Sequence, residues 1–416
     1  MRGIERVIFS LVFFVPLVLN GQDFPVEIPE YSYVKKEHNR LQFFGDSILF
    51  DPVFEKMDSV LSYGKGKLNV VHFGGSHIQA DILTSRVREH LQGIAKVAHP
   101  SRGLVFPFKA ARTNNPSSYT VNYSGKWAGC RNSVLRHQCE FGMTGITATS
   151  YDTFASISVN LVSKYHPTYY YKSVKVFHEF GEQYYELIVE EDIPYDYKVE
   201  DHAQGFTEYF FSSNQTRFEM KLNKLDSLQS EFVLYGFLFE NDEPDIIYNA
   251  IGVNGASVPS YLRCGKLEEQ LKFLKPDLIV FSIGINDAYE SDFTRYSYER
   301  NYGELIEKIR STCPNIAILF TTNNDSYKLI RRRRYLNKKG LQVKASMQAM
   351  SKKYGAGYWD MFEIMGGLNS APTWVENGKM KRDKIHFTAA GYRLMGDLFF
   401  NALMQKYGDY IADKRN

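Results

Sequence analysis

Residues 70–81 read VVHFGGSHIQAD. The apolar, β-branched run predicts a buried strand over residues 68–73, and apolar positions at helical spacing predict a helix over residues 82–91. Two glycines and Ser76 stand between these elements. One interpretation makes Ser76 the N-cap of a helix, where serine is favoured. The other makes it a nucleophile on a tight strand-to-helix corner, where glycines let other groups approach closely.

The alternation of strands and helices returns in the second half of the chain. Apolar runs predict strands at residues 245–250, 278–283, 315–321 and 357–360. Helical spacing predicts helices at residues 266–274, 302–311, 341–354 and 389–406. Strands that alternate with helices predict a parallel sheet covered on both faces.

The intervening stretch has a different pattern. Short alternating segments separated by turn residues fill the region from Gly103 to Asp242, which predicts a β-sandwich. The simplest organisation is one α/β domain, residues 65–103 and 243–408, split by an inserted β domain at residues 104–242.

The N-terminus has the pattern of a targeting segment. Arg2 and Arg6 precede an apolar run of 13 residues, Val7 to Leu19, and the small residue Gly21 follows. This pattern predicts a secretory signal peptide over residues 1–21, because the run is shorter than the ~20 residues of a membrane span. An N-terminal extension then covers residues 22–64. We expect an exported protein without a stable membrane span after signal cleavage.

Composition narrows the classes of partner. A formal charge of +3 over 416 residues gives no argument for nucleic-acid binding. Four cysteines make an even number, and Cys130 and Cys139 could close a short loop, although the connectivity with Cys264 and Cys313 stays open. No CxxC spacing or paired histidines are present, so we expect no metal site.

Chemically active residues follow the predicted strands. In an open parallel sheet, functional groups collect beyond the carboxyl ends of the strands. Four such segments stand out: Gly74-Gly75-Ser76, residues 251–257, Gly284-Ile285-Asn286-Asp287, and the loop Asp383-Lys384-Ile385-His386 before the last helix.

These segments contain what acyl transfer from an ester requires. Ser76 is the candidate nucleophile and His386 the base that takes its proton. Asp383 can accept the second imidazole proton and orient the ring. The candidate donors to the oxyanion are the backbone N–H groups of Ser76 and Gly255 and the side-chain amide of Asn286.

The same blocks, in this order, resemble the SGNH (GDSL-type) hydrolase family. Its signature is a block I Ser, a block II Gly, an Asn in a block III Gly-x-Asn-Asp, and a block V Asp-x-x-His, which match Ser76, Gly255, Asn286, Asp383 and His386. The resemblance covers about residues 65–103 and 243–408. It implies a flavodoxin-like three-layer α/β/α domain, a serine mechanism without metal or other cofactor, and esterase or acyltransferase chemistry.

Two details refine the resemblance. Block I of the family usually reads Gly-Asp-Ser, whereas Gly75 replaces the aspartate, a structural turn residue. The continuation Ser-His-Ile-Gln-Ala-Asp resembles a branch that acts on acetylated polysaccharides, peptidoglycan O-acetylesterases among them. In that branch a β-sandwich resembling a carbohydrate-binding module is inserted between blocks I and II.

Other positions have alternative interpretations. Gly252 is a rival of Gly255 as oxyanion donor. Gln79 and Asp81 could line the cleft or simply begin a helix. The run Arg331–Arg334, in a predicted loop or helix start, could meet an anionic glycan or form a solvated face. Trp374 could stack on a sugar or pack a loop.

The sequence thus predicts an exported serine esterase that removes O-acetyl or similar short acyl groups from a carbohydrate polymer such as peptidoglycan. Its partner would be the acetylated glycan, and its location the bacterial periplasm or cell envelope. One alternative is a polysaccharide O-acetyltransferase that uses the same residues. The other is a non-catalytic glycan-binding envelope protein.

Overall fold

The computed structural model describes residues 25–189 and 194–415. The predicted signal peptide, residues 1–21, lies outside these described residues. In chain order the strands are β1 (Leu41–Phe43), β2 (Lys67–Gly74), β3 (Gly103–Val105), β4 (Thr120–Ser124), β5 (Trp127–Arg131), β6 (Ile146–Ser150), β7 (Ser156–Asn160), β8 (Tyr171–His178), β9 (Glu186–Val189), β10 (Tyr197–Asp201), β11 (Phe206–Gln215), β12 (Arg217–Asn223), β13 (Phe232–Glu240), β14 (Asp245–Gly252), β15 (Leu278–Ser282), β16 (Ala317–Thr321), β17 (Tyr327–Ile330), β18 (Arg333–Leu336) and β19 (Gly357–Trp359).

The helices are α1 (Asp51–Tyr63), α2 (Ser76–Gln79), α3 (Ile82–Ile94), α4 (Val258–Leu262), α5 (Leu267–Leu274), α6 (Ile285–Tyr289), α7 (Arg295–Thr312), α8 (Lys339–Tyr354), α9 (Met361–Ile364), α10 (Ala371–Glu376) and α11 (Ala389–Arg415). Within residues 25–189 and 194–415, no helix is both long enough and apolar enough to cross a membrane.

A six-stranded sheet forms the centre of the α/β domain, in the order β1-β19-β16-β15-β2-β14. The short edge strand β1 is antiparallel to β19, and all other neighbours are parallel. Numbered by their sequence, the five parallel strands are arranged 2-1-3-4-5, which is the flavodoxin-like order. The predicted fold class is therefore confirmed.

Both faces of this sheet are covered by helices. Phe73, Phe281 and Phe320 belong to a core shared with α4, α5, α7 and α8. Val70, Val280 and Leu319 belong to a second core shared with α1, α3 and α11. Strands buried on both faces read as continuous apolar runs, which is why the sequence identified them.

The inserted region forms two antiparallel sheets. One has the order β10-β11-β8-β13-β6-β5, with β3 also paired to β13, and the other has the order β4-β7-β12-β9. Phe218 of the smaller sheet contacts the rings of Phe237 and Phe239 of the larger sheet, at centroid distances of 5.8 and 6.3 Å. These contacts make the pair of sheets a β-sandwich with an aromatic core.

Two glycines let α2 fold directly over the strand ends. Gly74 of β2 and Gly252 of β14 are neighbours in the parallel register. A Cβ atom at Gly74 would lie 2.1 Å from Cγ1 of Ile78, and one at Gly252 would lie 2.1 Å from the backbone nitrogen of Gln79. Gly252 is therefore a packing residue of the sheet, which sets it apart from Gly255 in the following loop.

A buried ionic network joins the α/β domain to the insert. The carboxylate of Asp81 lies 2.9 Å from Nη2 of Arg88 and 2.9 Å from Nη2 of Arg102. The hydroxyls of Thr84 and Ser118 also donate to it, at 2.6 and 2.7 Å. Burial opposes ionisation, but the two arginines outweigh it and keep the pKa of Asp81 below its ordinary value. Asp81 is thus held by this network and does not line the cleft described next.

The cysteines separate into one pair and two thiols. Cys130 and Cys139 form a disulfide with a Cα–Cα distance of 6.4 Å, and Cys264 and Cys313 are free. The loop closed by this disulfide touches the α/β domain, because the hydroxyl of Ser133 donates to the carbonyl of Asn254 at 2.8 Å.

Candidate active site

Three of the predicted residues form a continuous chain of hydrogen bonds. Ser76 is the first residue of α2, and a single residue, Gly75, separates it from the end of β2. Its Oγ lies 2.8 Å from Nε2 of His386, and Nδ1 of His386 lies 2.9 Å from Oδ2 of Asp383. Ser76 and His386 are 310 positions apart in the chain, so the fold itself brings them together.

The loop before α11 fixes Asp383 in its ionised form. Oδ1 of Asp383 accepts the backbone N–H groups of Ile385 and His386, each at 2.9 Å. Partial burial raises the pKa of this carboxyl, but the hydrogen bonds from His386 and Ile385 outweigh burial and lower it below the ordinary value. A carboxylate that stays ionised can orient the imidazole and stabilise its protonated form.

The predicted oxyanion donors lie around the same cleft. The cleft has a volume of about 420 Å³, and its lining includes Ser76, Gly255, Asn286 and His386. Gly255 has a φ of +82°, a left-handed conformation that favours glycine. One N–H of the Asn286 amide donates to the carbonyl of Ala256 at 2.8 Å, which holds the amide in place and leaves its second N–H available.

Two backbone donors complete this set. Among the described residues, the N–H groups of Ser76 and Gly255 donate to no other protein atom. Both residues line the cleft. Gly252, the rival of Gly255, lies in strand β14 and is absent from the cleft lining. The geometry therefore favours Gly255.

The glycine that replaces the usual block I aspartate lies directly beside this amide. A Cβ atom at Gly75 would be 3.1 Å from Nδ2 of Asn286 and 3.5 Å from the carbonyl of Ala256. A side chain at position 75 would therefore crowd the amide. With glycine at position 75, no side chain contacts the amide from this position.

Asp287 has a structural role next to its neighbour Asn286. Its buried carboxylate accepts the N–H of Val258, the first residue of α4, at 3.1 Å. Burial raises the pKa of Asp287 to about 7, although this hydrogen bond opposes the shift. Asn286 thus faces the cleft, while Asp287 ties its segment to the loop that contains Gly255.

The ring of His77 packs against the imidazole of His386. The two rings stack with a centroid distance of 5.2 Å, and Nδ1 of His77 lies 3.0 Å from the hydroxyl of Tyr392. Burial, followed by the nearby His386, lowers the pKa of His77 to about 3. His77 is therefore a neutral packing partner of His386.

Two site residues have roles that the sequence did not resolve. The amide of Gln79 accepts the N–H of Asn254 at 2.7 Å and donates to Thr113 of the insert at 3.0 Å. It thereby ties the loop of Gly255 to the β-sandwich. Tyr289 also lines the cleft. Its spacing of three residues from Asn286, one turn along α6, is the signal that could have identified it.

The structure excludes one expected role of Trp374 and one expected conformation of the arginine run. Trp374 is fully buried, and its indole N–H donates to the carbonyl of Met365 at 2.8 Å, so it packs a loop and does not face a sugar. The expected helix start at Arg331–Arg334 is wrong, and the expected loop is limited to a turn at Arg331 and Arg332. Arg333 and Arg334 begin β18, which pairs with β17 in an antiparallel hairpin.

Residues 234–394 match the GDSL-like Lipase/Acylhydrolase family, and this range contains Gly255, Asn286, Asp383 and His386. The match identifies a GDSL-like acylhydrolase domain in this part of the chain, which supports an ester-hydrolysing enzyme.

Most of the chain is similar in structure to a peptidoglycan O-acetylesterase, with a TM-score of 0.69, 19% sequence identity, and coverage of 89% of this chain and 99% of the other. Such coverage cannot be reached without the inserted sheets, so the shared fold includes the insert.

Other solved structures are similar to a smaller share of the chain. One is a GDSL-like lipase from Bacteroides thetaiotaomicron, with 19% identity, a TM-score of 0.30, and coverage of 40% of this chain and 76% of the other. Another is an acetyl xylan esterase, with 20% identity, a TM-score of 0.31, and coverage of 39% and 82%. No curated protein sequence matches this chain.

Replacing Asn286 with alanine is expected to lower kcat for ester hydrolysis by about 10²–10³-fold, because one oxyanion donor is lost. Steady-state kinetics with p-nitrophenyl acetate measure the effect, and Asn377→Ala, at an exposed asparagine after α10, is the matched control. A variant that retains more than about a third of the wild-type kcat would remove Asn286 from the oxyanion site.

Proposed function

We propose that this protein is an exported serine esterase that removes O-acetyl or similar short acyl groups from a carbohydrate polymer, such as peptidoglycan or another polysaccharide. The observation that carries the proposal is the hydrogen-bonded chain of Ser76, His386 and Asp383, which lies beside a cleft of about 420 Å³.

The proposed reaction has two steps. Nε2 of His386 takes the proton of Ser76 while Oγ attacks the ester carbonyl carbon, and the imidazolium then protonates the departing sugar oxygen. This step leaves an acyl group on Ser76 and a free sugar hydroxyl. In the second step His386 takes a proton from water, the hydroxide oxygen attacks the acyl carbon, and the released Ser76 oxygen recovers the proton. Asp383 stabilises the imidazolium in both steps.

Negative charge develops on the carbonyl oxygen in both tetrahedral intermediates. The N–H groups of Ser76 and Gly255 and the free N–H of Asn286 are the donors proposed to stabilise it. Each is positioned before the substrate arrives, so no reorganisation is needed at the moment of reaction.

The residues that line the cleft are evidence that the acyl group is short. Ile283, Ile285 and Ile385 line it beside Ser76 and provide an apolar surface for a methyl or short alkyl group. The insert is evidence that the alcohol part of the substrate is a polymer, because the insert borders the site through Ser133 and through the contacts of Gln79. The fold shared with a peptidoglycan O-acetylesterase also supports an acetylated glycan.

Export is part of the proposal. It rests on the signal-peptide pattern of residues 1–21 and on the disulfide between Cys130 and Cys139, since disulfides persist in oxidising compartments. The bacterial periplasm or cell envelope is the location that fits both features.

Acetate release from O-acetylated peptidoglycan and O-acetylated polysaccharide tests the proposal. We expect acetate in the supernatant, with none from the same polymers after chemical deacetylation. Adding an unacetylated glycan acceptor to the reaction distinguishes the alternatives by product mass. Acetylated acceptor in place of free acetate would make the protein a transferase, and glycan binding without any ester turnover would make it a non-catalytic binder.

A further inference from the structure

Positive charge is concentrated at one edge of the cleft. Residues 327–340, YKLIRRRRYLNKKG, contain seven lysines and arginines and no acidic residue. Residues 379–384, KMKRDK, contain four more, with Asp383 as the only acid. We call these two segments the basic rim. The whole chain carries a formal charge of only +3, so the rim is a local feature and not a consequence of composition.

The hairpin of the basic rim is attached to the catalytic loop. Nη1 of Arg334 donates to the carbonyl of Asp383 at 2.7 Å, and the N–H of Tyr327 donates to the carbonyl of Lys384 at 3.1 Å. The ammonium of Lys328 donates to the carbonyl of Tyr289, which lines the cleft. The hairpin therefore lies between the catalytic loop and Tyr289. A chemical group that binds to the hairpin there would be part of the same molecule whose ester enters the cleft.

Within the part of the chain that the structure describes, the arginines at the tip form no ion pair. Arg331, Arg332 and Arg333 are exposed. None of the ion pairs between residues of the described ranges includes an arginine of the run, nor Lys381 or Arg382. Neighbouring like charges repel each other, so the hairpin gains no stability from this composition.

The backbone of the turn also disfavours these residues. Arg331 and Arg332 have φ angles of +46° and +65°, in the left-handed region. A two-residue hairpin turn of this kind is best made by Asn-Gly or Asp-Gly. Two arginines at these positions make the turn less stable and place two guanidinium groups at the tip of the hairpin.

We propose that the hairpin Tyr327–Leu336 docks anionic groups of the polymer whose ester enters the cleft, so that the enzyme selects anionic acetylated polymers over neutral ones. The inference rests on the proposed esterase function and specifies its substrate class. Guanidinium groups bind carboxylates and phosphates through paired N–H donors. The anion can be a carboxylate of the glycan or of an attached peptide, or a phosphate of the polymer.

An anionic membrane surface is the competing partner, because Leu329, Ile330 and Tyr335 of the hairpin are also exposed. The bonds from Arg334 and Tyr327 to the catalytic loop favour the polymer, since they place the hairpin beside the reacting ester.

The triple variant Arg331→Gln, Arg332→Gln, Arg333→Gln tests the inference, with Arg334 retained because it contacts the catalytic loop. We compare kcat/KM for acetylated polygalacturonate, which is anionic, with that for acetylated mannan, which is neutral. The ratio of anionic to neutral activity is expected to fall about tenfold at low ionic strength, and the wild-type ratio is expected to fall as salt is added. Arg40→Gln with Arg300→Gln, at exposed arginines outside the rim, is the control that keeps the ratio.

Binding separates this inference from the esterase proposal. In a Ser76→Ala background, labelled oligogalacturonate, polyphosphate and neutral oligomannan are titrated with and without the triple variant. Hairpin-dependent binding of the anions supports docking even if no polymer is hydrolysed, and their relative affinities distinguish carboxylate from phosphate.

If the wild type and the triple variant hydrolyse the polymers with the same ratio of anionic to neutral activity, docking is overturned and the esterase proposal stands. Tighter hairpin-dependent binding to phosphatidylglycerol vesicles than to either anion overturns it in favour of a membrane. Thermal unfolding confirms that the triple variant is folded.

Discussion

Replacing Ser76 with alanine is expected to lower kcat for p-nitrophenyl acetate by about 10⁴–10⁶-fold, as for other enzymes that lose their nucleophile. The variant cannot form the acyl-enzyme, and His386 then has no hydroxyl at 2.8 Å to activate. Ser311→Ala, at an exposed serine of α7, is the matched control and keeps wild-type activity.

The triad also predicts how variants combine. His386→Ala is expected to be nearly as inactive as Ser76→Ala, and the double variant is expected to be no worse than either, because the two residues act as a unit. Nitrophenol release, measured at enzyme concentrations that span the expected range of activities, gives kcat for the two single variants and the double variant. Turnover by Ser76→Ala within tenfold of the wild type would exclude the serine mechanism.

The second large effect is on stability. Replacing Asp81 with asparagine is expected to lower the free energy of unfolding by about 3–5 kcal/mol, because Arg88 and Arg102 would stay buried without a counter-charge. Both arginine side chains are at most 2% exposed, so water cannot replace the carboxylate. Asp292→Asn, at an exposed aspartate, is the control. Guanidinium denaturation measures the difference.

The pH dependence of this loss has a definite sign. The folded protein holds the pKa of Asp81 below its ordinary value, so the unfolded chain binds the proton more readily. The stabilisation is fully present above the ordinary aspartate pKa of about 3.9 and is lost as the pH falls through the folded value. A loss of less than about 1 kcal/mol at pH 7 would contradict a buried, essential charge.

The parallel strands were predictable because they are buried on both faces. The apolar run at residues 68–73 corresponds to β2, Lys67–Gly74, and the run at 278–283 corresponds to β15, Leu278–Ser282. Their boundaries differ from the prediction by one residue, since the apolar pattern ends where the sheet meets the cleft.

Two strands of the insert are not recognisable in the sequence, for the opposite reason. Trp127–Arg131 and Tyr197–Asp201 are the two edges of the larger sheet. Four of the five residues of Tyr197–Asp201 are exposed, so no alternation of apolar and polar positions marks the strand. An edge strand is defined by the neighbour that it pairs with, and a single sequence does not contain that information.

The candidate site, like the fold, was predictable only in part. Its reactive side chains stand in short local blocks, so the sequence predicted which residues to bring together. The contacts that support them are not local. Asp81 is held by Arg102, 21 positions away, and Gln79 by Thr113, 34 positions away. The hairpin at Arg331 and Arg332 was missed because its turn lacks the glycine or asparagine that normally signals a tight reversal.

The place of β2 in the sheet has a consequence for folding. This strand leads into Ser76, and both of its neighbours, β14 and β15, follow the entire insert in the sequence. Until those neighbours pair with it, β2 is an apolar strand with two open edges, the kind of segment that promotes aggregation. The parallel sheet can therefore close around β2 only through contacts across the whole length of the insert, and the site at Ser76 is completed by a segment 310 positions away.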